Sequence, residues 1–249
     1  MLLVVSCYAL QREEWFTIMS MTKVYALFAK DMKMISYNLF VISGLLVVPV
    51  VAFFFTLTAD APEPAIADLL LQMNILINGA NIICVIIAEE KEKHTLSVLI
   101  ASTVSGVEFL AGKLLVTTLL TLASNVVLFL ITGLGSIMPI GPFILVTGAA
   151  ILPAAAIGAI IGIACKTQAS ASSAVAPLMM LLVLLPMFLP QGFFTENILY
   201  YVFSQQMSLG LAAVYHGTSF LPNIGIIAVN FVVLSAIFWG VYKKKGLSG

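Results

Sequence analysis

Charge is what this chain has least of. Of its 249 residues only 9% are Asp, Glu, Lys or Arg, where soluble globular proteins carry about 25%. So little charge excludes a soluble enzyme, a charge-rich disordered regulator and a nucleic-acid binder. Histidine occurs twice and cysteine three times. Three cysteines are an odd number, and Cys7, Cys84 and Cys165 do not form a disulfide framework; they read as small apolar residues. The formal net charge is zero, a sum that hides where the charges sit.

What is abundant is apolar: 61% of residues are hydrophobic and the mean hydropathy is +1.14. Uncharged runs cover 34–59, 69–88, 114–165, 167–195 and 197–242. A helix needs about 20 apolar residues to cross a hydrocarbon core. The run 114–165 must therefore fold back, and its Gly and Pro residues cluster at 133–142, where a turn is expected. The run 197–242 begins with an aromatic, more polar stretch and is purely apolar only after Pro222. The expectation is an all-α integral membrane protein with six transmembrane helices, at about 38–58, 69–88, 114–135, 143–165, 174–190 and 221–241.

The basic residues orient these spans. Arg12, Lys23, Lys30 and Lys33 precede the first; Lys91, Lys93 and Lys113 lie between the second and third; Lys166 follows the fourth and Lys243–Lys245 the sixth. All eleven fall on one side, which places both termini of a multi-pass protein in the cytoplasm. Seven acids join them there, leaving that side at +4, and Asp60, Glu63, Asp68 and Glu196 leave the other at −4. Residues 1–10 lack a basic n-region and are too short to span. Residues 1–20 stay open between a membrane-dipping segment and sequence upstream of a start at Met19 or Met21, and residues 242–249 form a basic tail.

Two cytoplasmic elements carry the pattern that points to function. In 21–36, Met21, Val24, Tyr25, Phe28, Met32 and Ile35 share one arc at 100° per residue, with Lys23, Lys30 and Lys33 opposite. Such a stripe predicts an amphipathic helix lying in the interface. Between spans two and three, Leu96, Leu99 and Ile100 recur at helical spacing, and Ser105 with Glu108 fits a capping box. Helix, turn and helix exposed to the cytoplasm form a docking element.

This segment resembles the signature of type-2 ABC exporter permeases: Glu90-Lys91-Glu92, Thr95-Leu96, Leu99, a turn at Ser102-Thr-Val-Ser105, then Glu108 and Gly112-Lys113. Thr103 stands where the family usually has proline. The resemblance implies a bacterial cell-membrane permease that pairs with a second copy or a sister permease. Each permease rests on a separate cytoplasmic ABC ATPase, and a coupling helix after span two docks into that ATPase. On this resemblance Glu90, Glu92, Thr95, Leu96, Leu99, Ser102 and Glu108 form the ATPase-docking surface. No cofactor is expected on this chain, ATP and magnesium being held by the partner. The cargo implied is amphipathic or hydrophobic, such as an antimicrobial peptide, lantibiotic or drug.

Competing chemistry fits poorly. Gly106–Lys113 is no phosphate loop, since the glycine spacing is wrong and Leu114 follows the lysine. His94 and His216 are assigned to opposite sides and cannot share a metal, so no metal site and no enzyme are expected. A gradient-driven transporter or channel is the alternative, but such proteins usually need mid-span acids or histidines, and none is present. Asn74, Asn78 and Asn81 share one face of span two and are candidates to line a pathway or to bond between helices. Ala154, Gly158 and Gly162 form a small-residue stripe for close packing within the subunit. Short re-entrant or interfacial helices are expected near 196–204 and 206–214, before span six.

Overall fold

A computed structural model describes residues 20–58, 64–95, 105–188 and 198–243. The segments bearing Leu96, Leu99 and Ser102 and residues 1–19 lie outside the described residues. All regular structure among the described residues is helical. The helices are α1 Met21–Ser36, α2 Leu39–Thr58, α3 Pro64–Met73, α4 Gly79–Glu92, α5 Gly106–Ile131, α6 Ile140–Ala164, α7 Gln168–Phe188, α8 Phe203–Tyr215 and α9 Leu221–Val241. A π-helical turn, Asn74–Asn78, joins α3 to α4, so the two form one span, Ile66–Glu92.

Among the described residues five helices are long and apolar enough to cross a membrane: Leu39–Leu57, Ile66–Glu92, Gly106–Ile131, Ile140–Ala164 and Leu221–Val241. The fifth span expected from the sequence, 174–190, falls in α7, an apolar helix over Gln168–Leu184. α5 begins at Gly106 rather than after Lys113, because Lys113 is fully buried and ends no hydrophobic run in three dimensions.

The span Ile66–Glu92 is the centre of the bundle. In the bundle 83% of its most apolar stretch is buried, against 22% for Leu39–Leu57 and 11% for Leu221–Val241. Its main neighbour is α6, and small residues set the approach. A Cβ at Gly158 would land on the backbone of Ala80, and one at Gly162 would lie 2.9 Å from the Cys84 carbonyl oxygen. The Ala154–Gly158–Gly162 stripe thus brings α6 against α4 within one chain. α2 and α9 stay peripheral and present Phe53, Phe54, Val229 and Val232 outward, as suits lipid-facing helices.

The turn between α5 and α6 uses Gly133, whose φ of 68° is open to glycine at no steric cost. In the segment before α9, a 3₁₀ turn Ile198–Tyr201 and α8 form. α8 packs on α6, α9 and α3 through Phe203, Met207, Leu211 and Val214.

Candidate functional site

The polar residues of the chain gather where α4 ends. Four consecutive residues, Glu89-Glu-Lys-Glu92, leave a helix at 100° intervals and therefore point to four different neighbours. Glu89 accepts a hydrogen bond from Asn38 Nδ2 at 3.4 Å, at the α1–α2 junction, and pairs with Lys93 at 2.6 Å. Glu90 contacts Lys30 of α1 directly and lies 2.8 Å from Lys113 Nζ of α5. Lys91 donates to the Ile163 carbonyl in the last turn of α6 at 2.6 Å, a basic residue at a helix C-terminus. Glu92 accepts from the Gln168 amide at the start of α7 at 3.0 Å, an acid at a helix N-terminus. One turn of helix thus reaches the α1–α2 junction, the bodies of α1 and α5, the end of α6 and the start of α7.

Glu90 belongs to a buried ionic cluster. Lys113 Nζ lies 3.2 Å from Asp31 and 4.7 Å from the centre of the Phe109 ring, and Lys30 lies 3.4 Å from Asp31. Asp31 and Lys113 are fully buried, and Glu90 is 2% exposed. Two lysines and two carboxylates balance, which is the condition for keeping such charges out of water. Burial pushes the Asp31 carboxyl above its ordinary value, against the pull of Lys113. Burial would lower the Lys30 ammonium, but Glu90 and Asp31 outweigh it and hold it above its ordinary value.

The cluster pins α1 to α5. A Cβ at Gly112 would lie 2.9 Å from the Leu27 Cβ, so the glycine before Lys113 lets the helices touch. At the other end of α1, the Ser20 amide donates to Glu108 at 2.8 Å and Lys23 lies 3.9 Å away. Glu108 also closes the capping box with Ser105, whose hydroxyl accepts the Glu108 amide at 3.2 Å. The buried face of α1 is Val24, Leu27, Asp31 and Ile35, rotated roughly 70° from the apolar stripe read at helical period. Met21 and Tyr25 remain exposed.

The site residues named from the sequence therefore divide. Glu90 and Glu108 face inward, 2% and 3% exposed, and hold α1. Glu92 and Thr95 are exposed, with Thr95 donating to the Glu90 carbonyl at 3.1 Å. Asp31, Lys30, Gly112 and Lys113 complete the clamp. Of these, Gly112 and Lys113 stand in the motif, whereas Asp31, a lone acid beside lysines on an amphipathic helix, gave no signal beyond its position.

A second polar group lies mid-bundle. Asn74 donates to Asn125 Oδ1 at 2.7 Å, and its own Oδ1 accepts from Asn78 at 2.8 Å and from Ser124 at 3.2 Å. Ser124 Oγ also lies 3.0 Å from the Leu45 carbonyl oxygen, the alternative acceptor for its one hydrogen, so it links the π turn and α5 to α2. Asn74 and Asn78 are buried; Asn81 is half-buried. Among the described residues no His, Cys, Asp or Glu cluster could hold a metal ion.

Residues 63–239 match the model of the ABC-2 family transporter proteins. The chain belongs to that family. It is thus a multi-pass membrane component of an ABC transporter, and membership implies a partner ATPase and a lipid bilayer around it. No curated protein matches the chain. In sequence, the last turn of α4 is followed within a few residues by the segment 96–104 that carries the motif's Leu96, Leu99 and Ser102.

Proposed function

We propose that this ABC-2 transporter protein is the permease subunit of an ATP-driven exporter, working as a pair of permeases on two separate ATPase subunits. Both termini are cytoplasmic, α7 is a further span, the fifth of six in chain order, and α8 is a re-entrant or interfacial helix on the outer side. α1 lies in the inner interface, its exposed Met21 and Tyr25 turned toward lipid. The cargo is amphipathic or hydrophobic. A buried mid-span network of neutral amides, Asn74, Asn78 and Asn125, is compatible with such a cargo and offers no titrating group for proton coupling. Asn81 is the one of the three span-two asparagines left half-buried, and we assign it the pathway-facing role.

The observation that carries this reading is the four-way turn Glu89–Glu92. The ATPase docks on Glu92, Thr95, Leu96, Leu99 and Ser102; Glu90 and Glu108 act behind that surface, as the braces that pass its movement to α1 and α5. Co-expression with the ATPase tests the docking. Leu96→Asp/Leu99→Asp should abolish co-purification, since two desolvated acids at an apolar contact oppose association. Full binding and export by that double variant would overturn the assignment.

A further inference from the structure

At the end of the bundle opposite the clamp lies a cavity of about 260 Å³. Asp68 and Glu90 are separated by 22 residues of one span, or about 33 Å at 1.5 Å per residue. The cavity is lined by Asp68 and Leu71 of the span, by Ile137 in the turn between α5 and α6, and by Ser208, Tyr215 and His216 at α8. Its walls are otherwise apolar.

Asp68 is the chemical anomaly there. Its Oδ2 accepts from Gln72 at 2.9 Å and from Ser208 at 2.7 Å. Its Oδ1 is buried and has no hydrogen-bond partner. A buried carboxylate oxygen without a donor is unfavourable unless a cation or donor completes it. Among the described residues no lysine supplies a cation at this end: Lys23, Lys30 and Lys33 are on α1, Lys91 and Lys93 at the far end of the span, and Lys113, Lys166 and Lys243 at that same far end of the bundle. The two neutral donors hold one oxygen, and no described lysine neutralises the carboxylate that lines the cavity. Tyr215 adds an aromatic wall, which favours an organic cation over a hydrated metal ion.

We propose that this cavity binds an organic ammonium carrying a compact apolar body, its cation beside the Asp68 carboxylate and its body against Leu71, Ile137 and Tyr215. The volume suits one amine-bearing side chain or a small amphiphile, not a whole peptide. The ammonium comes either from a cationic cargo or from an ethanolamine lipid headgroup. As a cargo subsite it deepens the exporter reading and rests on it; as a binding site it does not.

The test uses the full chain in nanodiscs of phosphatidylglycerol, without ATPase, so that failure of coupling cannot mask or mimic the result. Titration with 3-phenylpropylammonium should show saturable binding, weakened at least tenfold by Asp68→Asn and shared at most weakly by 3-phenylpropanol. Ala212→Phe, which fills the cavity while leaving Asp68 in place, should weaken binding equally and serves if Asp68→Asn does not fold. Phosphatidylethanolamine added to the discs should compete if the lipid headgroup is the natural occupant; no competition assigns the site to cargo. Equal affinity for the alcohol, or binding unchanged in both variants, would overturn the proposal.

Discussion

Lys113→Met isolates the clamp most cleanly. The wild-type cluster has two cations, Lys30 and Lys113, against two anions, Asp31 and Glu90. The variant keeps the stem's volume but leaves two buried carboxylates facing one lysine. At an effective dielectric of about 20, pairs at 2.8 and 3.2 Å each carry roughly 5–6 kcal/mol of gross attraction. Desolvation of the lysine offsets part of that, and removal of one partner from a buried pair costs about 3–5 kcal/mol net. Loss of the contact with the Phe109 ring adds about 0.5–2 kcal/mol. If α1 takes up the loss by detaching, its amides should exchange with solvent roughly a hundred- to several-thousand-fold faster, while those of α6 stay protected. Hydrogen exchange followed by mass spectrometry reads this directly. Asp31→Asn added to Lys113→Met restores the balance, one lysine against Glu90, and should recover at least half of the protection. Unchanged exchange in the single variant, or a double variant no better than the single, would refute the electrostatic account.

Three further outcomes follow from the geometry. Gly158→Ala should destabilise the protein in detergent by at least about 1–3 kcal/mol, because its Cβ would strike the Ala80 backbone; Gly225→Ala, with open space around it, should be neutral, and thermal unfolding compares them. Ser105→Ala should cost about 1 kcal/mol by loss of the α5 cap, read as faster exchange at the first turn of α5. The pH dependence has a defined sign. Lys30 is held above its ordinary 10.5, so its contribution is complete below that value and lost as pH rises through the folded one. Asp31 is held above 3.8, so its contribution is complete below 3.8 and already lost once pH exceeds its folded value. A spin label at Tyr25 should therefore stay immobile across neutral pH and loosen above about 10.5, and Asp31→Asn at pH 7 should disturb it less than Lys113→Met does.

Much of this architecture is legible in the residues, because length and hydropathy alone decide what crosses lipid. The apolar runs mark the spans, Ser105 and Glu108 mark the start of α5, and Ala154, Gly158 and Gly162 mark the tight face of α6. The clamp is only half legible. The motif draws attention to Glu90, Glu108, Gly112 and Lys113, but spacing says nothing of which way a side chain faces, and two residues read as a surface for a partner turn inward. Periodicity scores Asp31 as polar and so rotates the apparent apolar face of α1 away from the one that packs. Its partner, Lys113, stands 82 positions away, beyond any local pattern. The π turn Asn74–Asn78 was equally hidden, since the Asn74–Asn125 bond that accompanies it spans two helices. Marking charges as span ends also failed at Lys113 for a physical reason: a lysine neutralised by two carboxylates no longer needs water.

The central claim is that movement imposed after α4 reaches α1 through the buried charges. Its most direct test is the distance between spin labels at Tyr25 on α1 and Leu221 at the opposite end of α9, both exposed, in the ATPase-bound transporter with and without trapped nucleotide. The distance should change on trapping in the otherwise unmodified protein and stay fixed in Lys113→Met, with the ATPase still bound in both. The same change in the two proteins would contradict the account.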